Sequence, residues 1–133
     1  MNLPKPDYRI VLAGAALAAL AVVLGAFGAH GLQAILPPES PSLDTWDTAV
    51  LYHMFHALAL LVVGCLGLPG SRGLAVTFGL GVVLFSGSLY GLVLGAPKWL
   101  GPVTPLGGTL LIVAWLRLCW MCWAQSSKMT ADQ

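Results

Sequence analysis

The stretch Ile10-Val11-Leu12-Ala13-Gly14-Ala15-Ala16-Leu17-Ala18-Ala19-Leu20-Ala21-Val22-Val23-Leu24-Gly25-Ala26-Phe27-Gly28-Ala29-His30-Gly31-Leu32 carries no charged side chain. A helix needs about 20 apolar residues to cross the ~30 Å hydrocarbon layer of a bilayer, and this stretch qualifies. The rest of the chain agrees with it. Over 133 residues, 58% are hydrophobic and only 8% charged, against about 25% charged in an ordinary soluble domain. So few charges cannot solvate a water-facing globule of this size. The composition excludes a soluble enzyme and a disordered chain, and a net charge of +1 offers no footprint for nucleic acid.

Charges mark the remaining spans. The runs Thr48 to Leu68 and Gly73 to Leu94 are uncharged, and Pro105 to Trp123 is interrupted only by Arg117. Ten-residue alternating strands are absent, so a β-barrel is excluded. The expected fold is all-α: a four-transmembrane-helix bundle in a single domain, 1–133. Its spans are about 10–32, 48–68, 73–94 and 105–123, followed by a polar tail at 124–133. Leu36-Pro37-Pro38-Glu39-Ser40-Pro41 reads as a rigid loop, and Asp44-Thr45-Trp46-Asp47 as the capped start of the second helix. Leu68-Pro69-Gly70-Ser71-Arg72 reads as a tight link. Thr104 followed by Pro105 reads as a cap and first helical position.

Lysine and arginine set the expected orientation. Lys5, Arg9, Arg72, Arg117 and Lys128 fall on one side of the four spans, and Lys98 on the other. Both termini are therefore expected in the cytoplasm of a bacterium, or in the matrix if the membrane is the mitochondrial inner one. Arg117 is expected to snorkel to the near interface amid Trp115, Trp120 and Trp123. The first run is longer than the roughly 7–15 residues of a signal-peptide core, so it is read as a retained span.

Lipid supplies no hydrophobic drive between helices, so small residues mark contacts. Gly14, Ala18, Ala21, Gly25 and Gly28 form a stripe on the first helix, and Gly87, Gly91 and Gly95 a second on the third. These are read as packing faces, within one chain or between copies.

Placed by depth, the polar side chains gather in the outer half of the bundle. His30 ends the first helix. Tyr52, His53 and His56 enter on the second, Ser86, Ser88 and Tyr90 on the third, and Thr104 on the fourth. Imidazole in lipid needs a partner. Three readings stay open: neutral histidines tying helices together, a proton relay, or a metal site or haem held by His30, His53 and His56. No acidic residue within the spans is available to orient a metal-bound histidine. Cys65, Cys119 and Cys122 are expected as buried, reduced thiols near the cytoplasmic end. No nucleophilic triad, paired carboxylates or phosphate-cradling glycine loop is present.

Gly25-Ala26-Phe27-Gly28-Ala29-His30-Gly31-Leu32 resembles the signature of the YgdD/YwdK-type family of small four-span membrane proteins. Further similar blocks follow in order: Trp46-x-x-Ala49-x-x-Tyr52, His56-Ala57-Leu58-Ala59-Leu60, Ser86-Gly87-Ser88-Leu89-Tyr90 and Thr104-Pro105-Leu106-Gly107-Gly108. The resemblance covers nearly the whole chain. It implies a bacterial plasma-membrane protein with an animal relative, and a domain of unknown function, so it hands over no activity. It favours His30 and His56 over His53, which lies outside those blocks.

The expected function is a non-enzymatic structural, assembly or accessory component whose partners are the bilayer and further copies or a larger membrane complex. No cofactor is expected. The alternatives are a small transport or proton-relay protein and a metal- or haem-binding protein.

Overall fold

A computed structural model describes residues 5–131, with side chains through residue 127. Helix α1 spans Tyr8–Ala26 and continues as a π-helical segment over Phe27–Leu32. Helix α2 spans Pro41–Leu66, α3 spans Ser71–Val93, a 3₁₀ turn covers Lys98–Leu100, and α4 spans Val103–Ala131. There is no strand among the described residues, and all four helices are long and apolar enough to cross a membrane. The protein is an all-helical bundle.

Local chemistry sets the ends. Asp7 caps α1, its Oδ1 accepting from the Arg9 backbone N–H at 3.1 Å. Ser40 caps α2 through its Oγ, which accepts from Ser42 N–H at 3.3 Å, with Pro41 in the first turn. The expected start near Asp44 is therefore corrected. Pro41 initiates the helix, because its missing N–H costs nothing at that position and its φ is already helical. Asp44 lies in the first turn, where the helix dipole favours an acid. Gly67, at φ +57°, ends α2. A Cβ there would collide with the Lys5 carbonyl. The start of α4 is also earlier than expected. Thr104 sits inside the helix rather than capping it, and Pro105 still falls in the first turn, where its missing N–H costs nothing. The stretch expected as a polar tail, 124–133, is helical as far as Ala131. Residues 132 and 133 lie outside the described residues.

The helices pack antiparallel in sequence order, with α2 innermost: it touches both α1 and α3 and buries the largest share of its apolar length. Small residues let backbones approach. A Cβ on Gly14 would stand 2.8 Å from Leu61 N and 2.9 Å from Ala57 O, and one on Gly64 would stand 2.8 Å from Val11 N. Ala21 is fully buried on the same face of α1, and Gly25 and Gly28 lie against Val50 and Trp46. Ala18 is half-buried.

The stripe expected on α3 makes little contact within this chain. A Cβ on Gly87 or Gly95 would meet open space, and Gly91 lies against Leu100 of the 3₁₀ turn. Gly95 follows the end of α3 and takes φ +91°. The α3–α4 contact is made instead at Gly81, against Leu111, and at Gly107, against the Leu84–Phe85 backbone. Spacing identified small residues, but their neighbours decide which ones pack. Leu60, Val63, Leu74, Phe78, Val82 and Leu111 fill the centre. Large apolar side chains such as Leu12, Val22, Phe55 and Ile112 point outward, as a lipid-facing surface requires.

At the end of the bundle that holds the α1 start and the α2–α3 link, Asp7 closes the structure. Its N–H donates to Gly64 O at 2.9 Å, and its Oδ2 accepts from Arg72 Nε at 3.0 Å. Arg117, on α4, reaches toward the same end. Its Nη2 would lie 3.0 Å from a Cβ on Gly73.

Candidate functional site

The polar side chains of the interior come from three helices. His56 is 6% exposed. Its Nδ1 lies 2.6 Å from the Tyr52 carbonyl, one turn back on α2, and its Nε2 lies 3.1 Å from the indole nitrogen of Trp115 on α4. An indole N–H donates and cannot accept, and a carbonyl accepts and cannot donate. The network therefore assigns the neutral tautomer: Nδ1–H donates to Tyr52 O and Nε2 accepts from Trp115. Rings complete the setting. Tyr52 lies over the imidazole at 25° and Phe78 packs edge-on to Trp115 at 5.3 Å.

A second tie links α3 to α4. Ser88 Oγ donates to the Phe85 carbonyl at 2.8 Å and lies 2.7 Å from Thr104 Oγ1. The serine's one proton is committed to Phe85, so Thr104 is the donor. At the opposite flank, Trp46 is 1% exposed and its indole N–H donates to Leu24 O at 2.9 Å, tying α2 to α1. The Tyr90 ring lies 4.6 Å from that of Trp46.

His53 is placed differently. It is 3% exposed, its Nδ1 is 3.4 Å from the Tyr90 hydroxyl, and its Nε2 has no partner. Ser86, 1% exposed, likewise has an unpartnered Oγ. Both residues, with Tyr90, line a cavity of about 190 Å³ between α1, α2 and α3, whose other walls include Leu17, Leu20 and Val82.

Two expectations about this cluster change. His30 does not join it. It lies exposed in the π-helical segment, where a widened turn alters which face the residues present. Nor is the cluster confined to one half of the bundle. Because α2 starts at Pro41, His56 sits about 22 Å along it, past its midpoint. Among the described residues no three His, Cys, Asp or Glu side chains gather in a metal-holding arrangement. The three-histidine metal site is not formed, and His56 has no free lone pair to offer a metal or a haem.

Trp115 is expected beside Arg117 at the interface. It belongs to the site instead, and counting turns along α2 and α4, which run the same way, could have placed it level with His56. The cysteines are free, and all three are exposed on the lipid-facing surface rather than buried. Tyr52 contributes its carbonyl and ring, with its side chain on the outer face at 42% exposure.

Residues 24–108 match the profile of a family described as a protein of unknown function, DUF423. The chain is similar to a UPF0382 membrane protein of Staphylococcus aureus, 42% identical over 57% of this chain and 65% of that one. It is also similar to the UPF0382 membrane protein YwdK of Bacillus subtilis, 47% identical over 57% of this chain and 66% of that one. A UPF0382 membrane protein of Haemophilus influenzae is 40% identical over 62% of this chain and 68% of its own length. The chain thus spans somewhat less than two thirds of the staphylococcal relative. No solved structure matches. Bacterial relatives named as membrane proteins, together with four apolar helices, fit a bacterial plasma membrane.

Proposed function

Because this chain belongs to the DUF423 family of small membrane proteins, whose description carries no activity, we propose that it is a non-enzymatic structural or assembly component of the membrane. One observation carries this reading: both nitrogens of His56 are committed, one to Tyr52 O and one to Trp115 Nε1. A histidine held this way ties two helices and has no free site to pass a proton or bind a ligand. Ser88 with Thr104 serves α3 and α4 in the same manner. In this reading both termini face the cytoplasm, since Lys5, Arg9, Arg72, Arg117 and Lys128 oppose the single Lys98.

The experiment is reconstitution into liposomes carrying a pH-sensitive dye. Wild-type protein is expected to move no protons above the empty-vesicle rate, while His56→Ala loses thermal stability in detergent. A pH-dependent flux that His56→Ala abolishes, with its helical content and unfolding temperature unchanged, overturns the reading.

A second reading, passage of a small solute or proton, is favoured by the unpartnered His53 Nε2 and Ser86 Oγ beside their cavity. Flux in the same liposomes that His53→Ala removes would establish it.

A further inference from the structure

We propose that the groove between α1 and α3, at the end of the bundle closed by Asp7, is a binding site for an anionic phospholipid. The inference does not depend on the role of the histidines. A cavity of about 410 Å³ opens there, with Asp7, Arg9 and Arg72 at its mouth and Ile10, Leu17 and Val76 along its walls. Its residues run from Arg9 to Leu17 on α1 and from Arg72 to Gly79 on α3. At 1.5 Å per residue the groove descends about 10–12 Å from the charged mouth into the apolar zone. That is the profile of a phospholipid: a charged head at the interface and a chain below it.

The mouth selects the sign of the head. Asp7 is already engaged, its Oδ2 by Arg72 Nε and its Oδ1 by the Arg9 backbone N–H. Arg72 uses one of its five N–H donors in that bond and is 77% exposed. The Arg9 guanidinium has no partner among the described residues. Two arginines against one carboxylate leave the mouth at +1, with free planar donor forks that match phosphate oxygens. A choline ammonium would meet like charge, whereas a net negative head completes the pairing. Basic pockets between membrane helices are suited to anionic lipid heads for this reason.

The floor suits a chain. Gly79 lines the cavity and a Cβ added there meets nothing within 4 Å, so the groove has room at that depth for an acyl chain. Arg9 and Arg72 supply affinity for the phosphate, and the recess at Gly79 makes the site one for a lipid rather than for a free anion.

Native mass spectrometry of the full chain in mild detergent tests this, with phosphatidylglycerol, phosphatidylcholine and inorganic phosphate titrated separately. Phosphatidylglycerol adducts should survive at several-fold lower lipid concentration than phosphatidylcholine adducts. Arg9→Gln leaves the Asp7–Arg72 pair intact and should weaken phosphatidylglycerol about fivefold, the order expected for one interfacial arginine. Gly79→Leu fills the recess without altering charge and should weaken it several-fold as well. Lys98→Gln, at the other end, should change nothing. Equal retention of the two lipids overturns the proposal. So does binding that Gly79→Leu leaves unchanged and that inorganic phosphate displaces, since that pattern describes a surface anion site without a chain groove.

Discussion

The Trp115 indole N–H donates to His56 Nε2 across 3.1 Å, and this bond from α4 to α2 dictates which nitrogen of the histidine carries the proton. Trp115→Phe keeps most of the ring volume and removes the donor. It leaves Nε2 an unpaired acceptor near the centre of the bundle. Interhelical hydrogen bonds in membrane proteins average about 0.6 kcal/mol and reach about 1.7. The expected loss is about 1 kcal/mol, read as reduced stability in reversible denaturation from mixed micelles. His56→Ala should cost more, because it strands the Trp115 donor and opens a cavity among Phe78, Tyr52 and Trp115.

Glycine-to-alanine substitutions should separate contacts from spacing. At Gly14 the new methyl meets the backbone at Leu61 N and Ala57 O, atoms that cannot rotate away. Overpacking of this kind typically costs about 1–3 kcal/mol. At Gly87 the same methyl meets open space and should be neutral, or stabilising by up to about 1 kcal/mol through helix propensity. Thermal unfolding of the two variants in one detergent checks the contrast. If Gly87→Ala leaves the monomer stable but breaks up oligomers seen by native mass spectrometry, its glycine face serves contacts between copies.

Much of this bundle was legible in the sequence, for a physical reason: charge is so costly in hydrocarbon that its absence outlines each span. Where that signal fades, other chemistry governs. Pro41 reads as a breaker until it is seen at the first helical turn, where a proline disrupts nothing. Gly81 and Gly107 stand apart from the other glycines only by what faces them, Leu111 and the Leu84–Phe85 backbone across the interface. Ser88 and Thr104, polar residues on successive helices, lie within hydrogen-bond distance of each other. Trp115 is not legible as a partner of His56, because a tryptophan near an arginine also fits an interfacial anchor. His30 lies exposed in the π-helical segment over Phe27–Leu32, and no residue spacing marks such a segment.

The Asp7–Arg72 pair makes a pH prediction. The Arg72 hydrogen bond is the largest influence on the Asp7 carboxyl and holds it below its ordinary value of 3.8. A carboxyl with a lowered folded-state pKa stabilises the protein above its unfolded value, and that contribution is lost as pH falls through the folded one. Stability from this pair should therefore be constant from neutral pH down to about pH 5 and then be lost progressively as pH falls through 3.8 and the lower folded-state value. Asp7→Asn should be less stable than wild type at pH 7, with the two converging at the acid end. Because Arg72 is exposed, added salt should shrink the difference at pH 7. Unfolding temperature as a function of pH and salt is the measurement.

His53 and His56, three residues apart on α2, should respond in opposite ways to the same substitution. His56→Leu strands the Trp115 donor, and the expected cost is about 1–2 kcal/mol. His53→Leu removes an imidazole whose Nε2 is buried without a partner and whose other nitrogen makes only a 3.4 Å contact with Tyr90. An unsatisfied buried polar atom costs about 1–3 kcal/mol, so replacing it with an apolar side chain should leave stability unchanged or raise it. The measurement is the unfolding free energy of both variants by one method in one detergent. Equal losses would mean that His53 has a partner in the membrane, and its hydrogen-bonded ring should then show in the imidazole nitrogen chemical shifts of ¹⁵N-labelled protein.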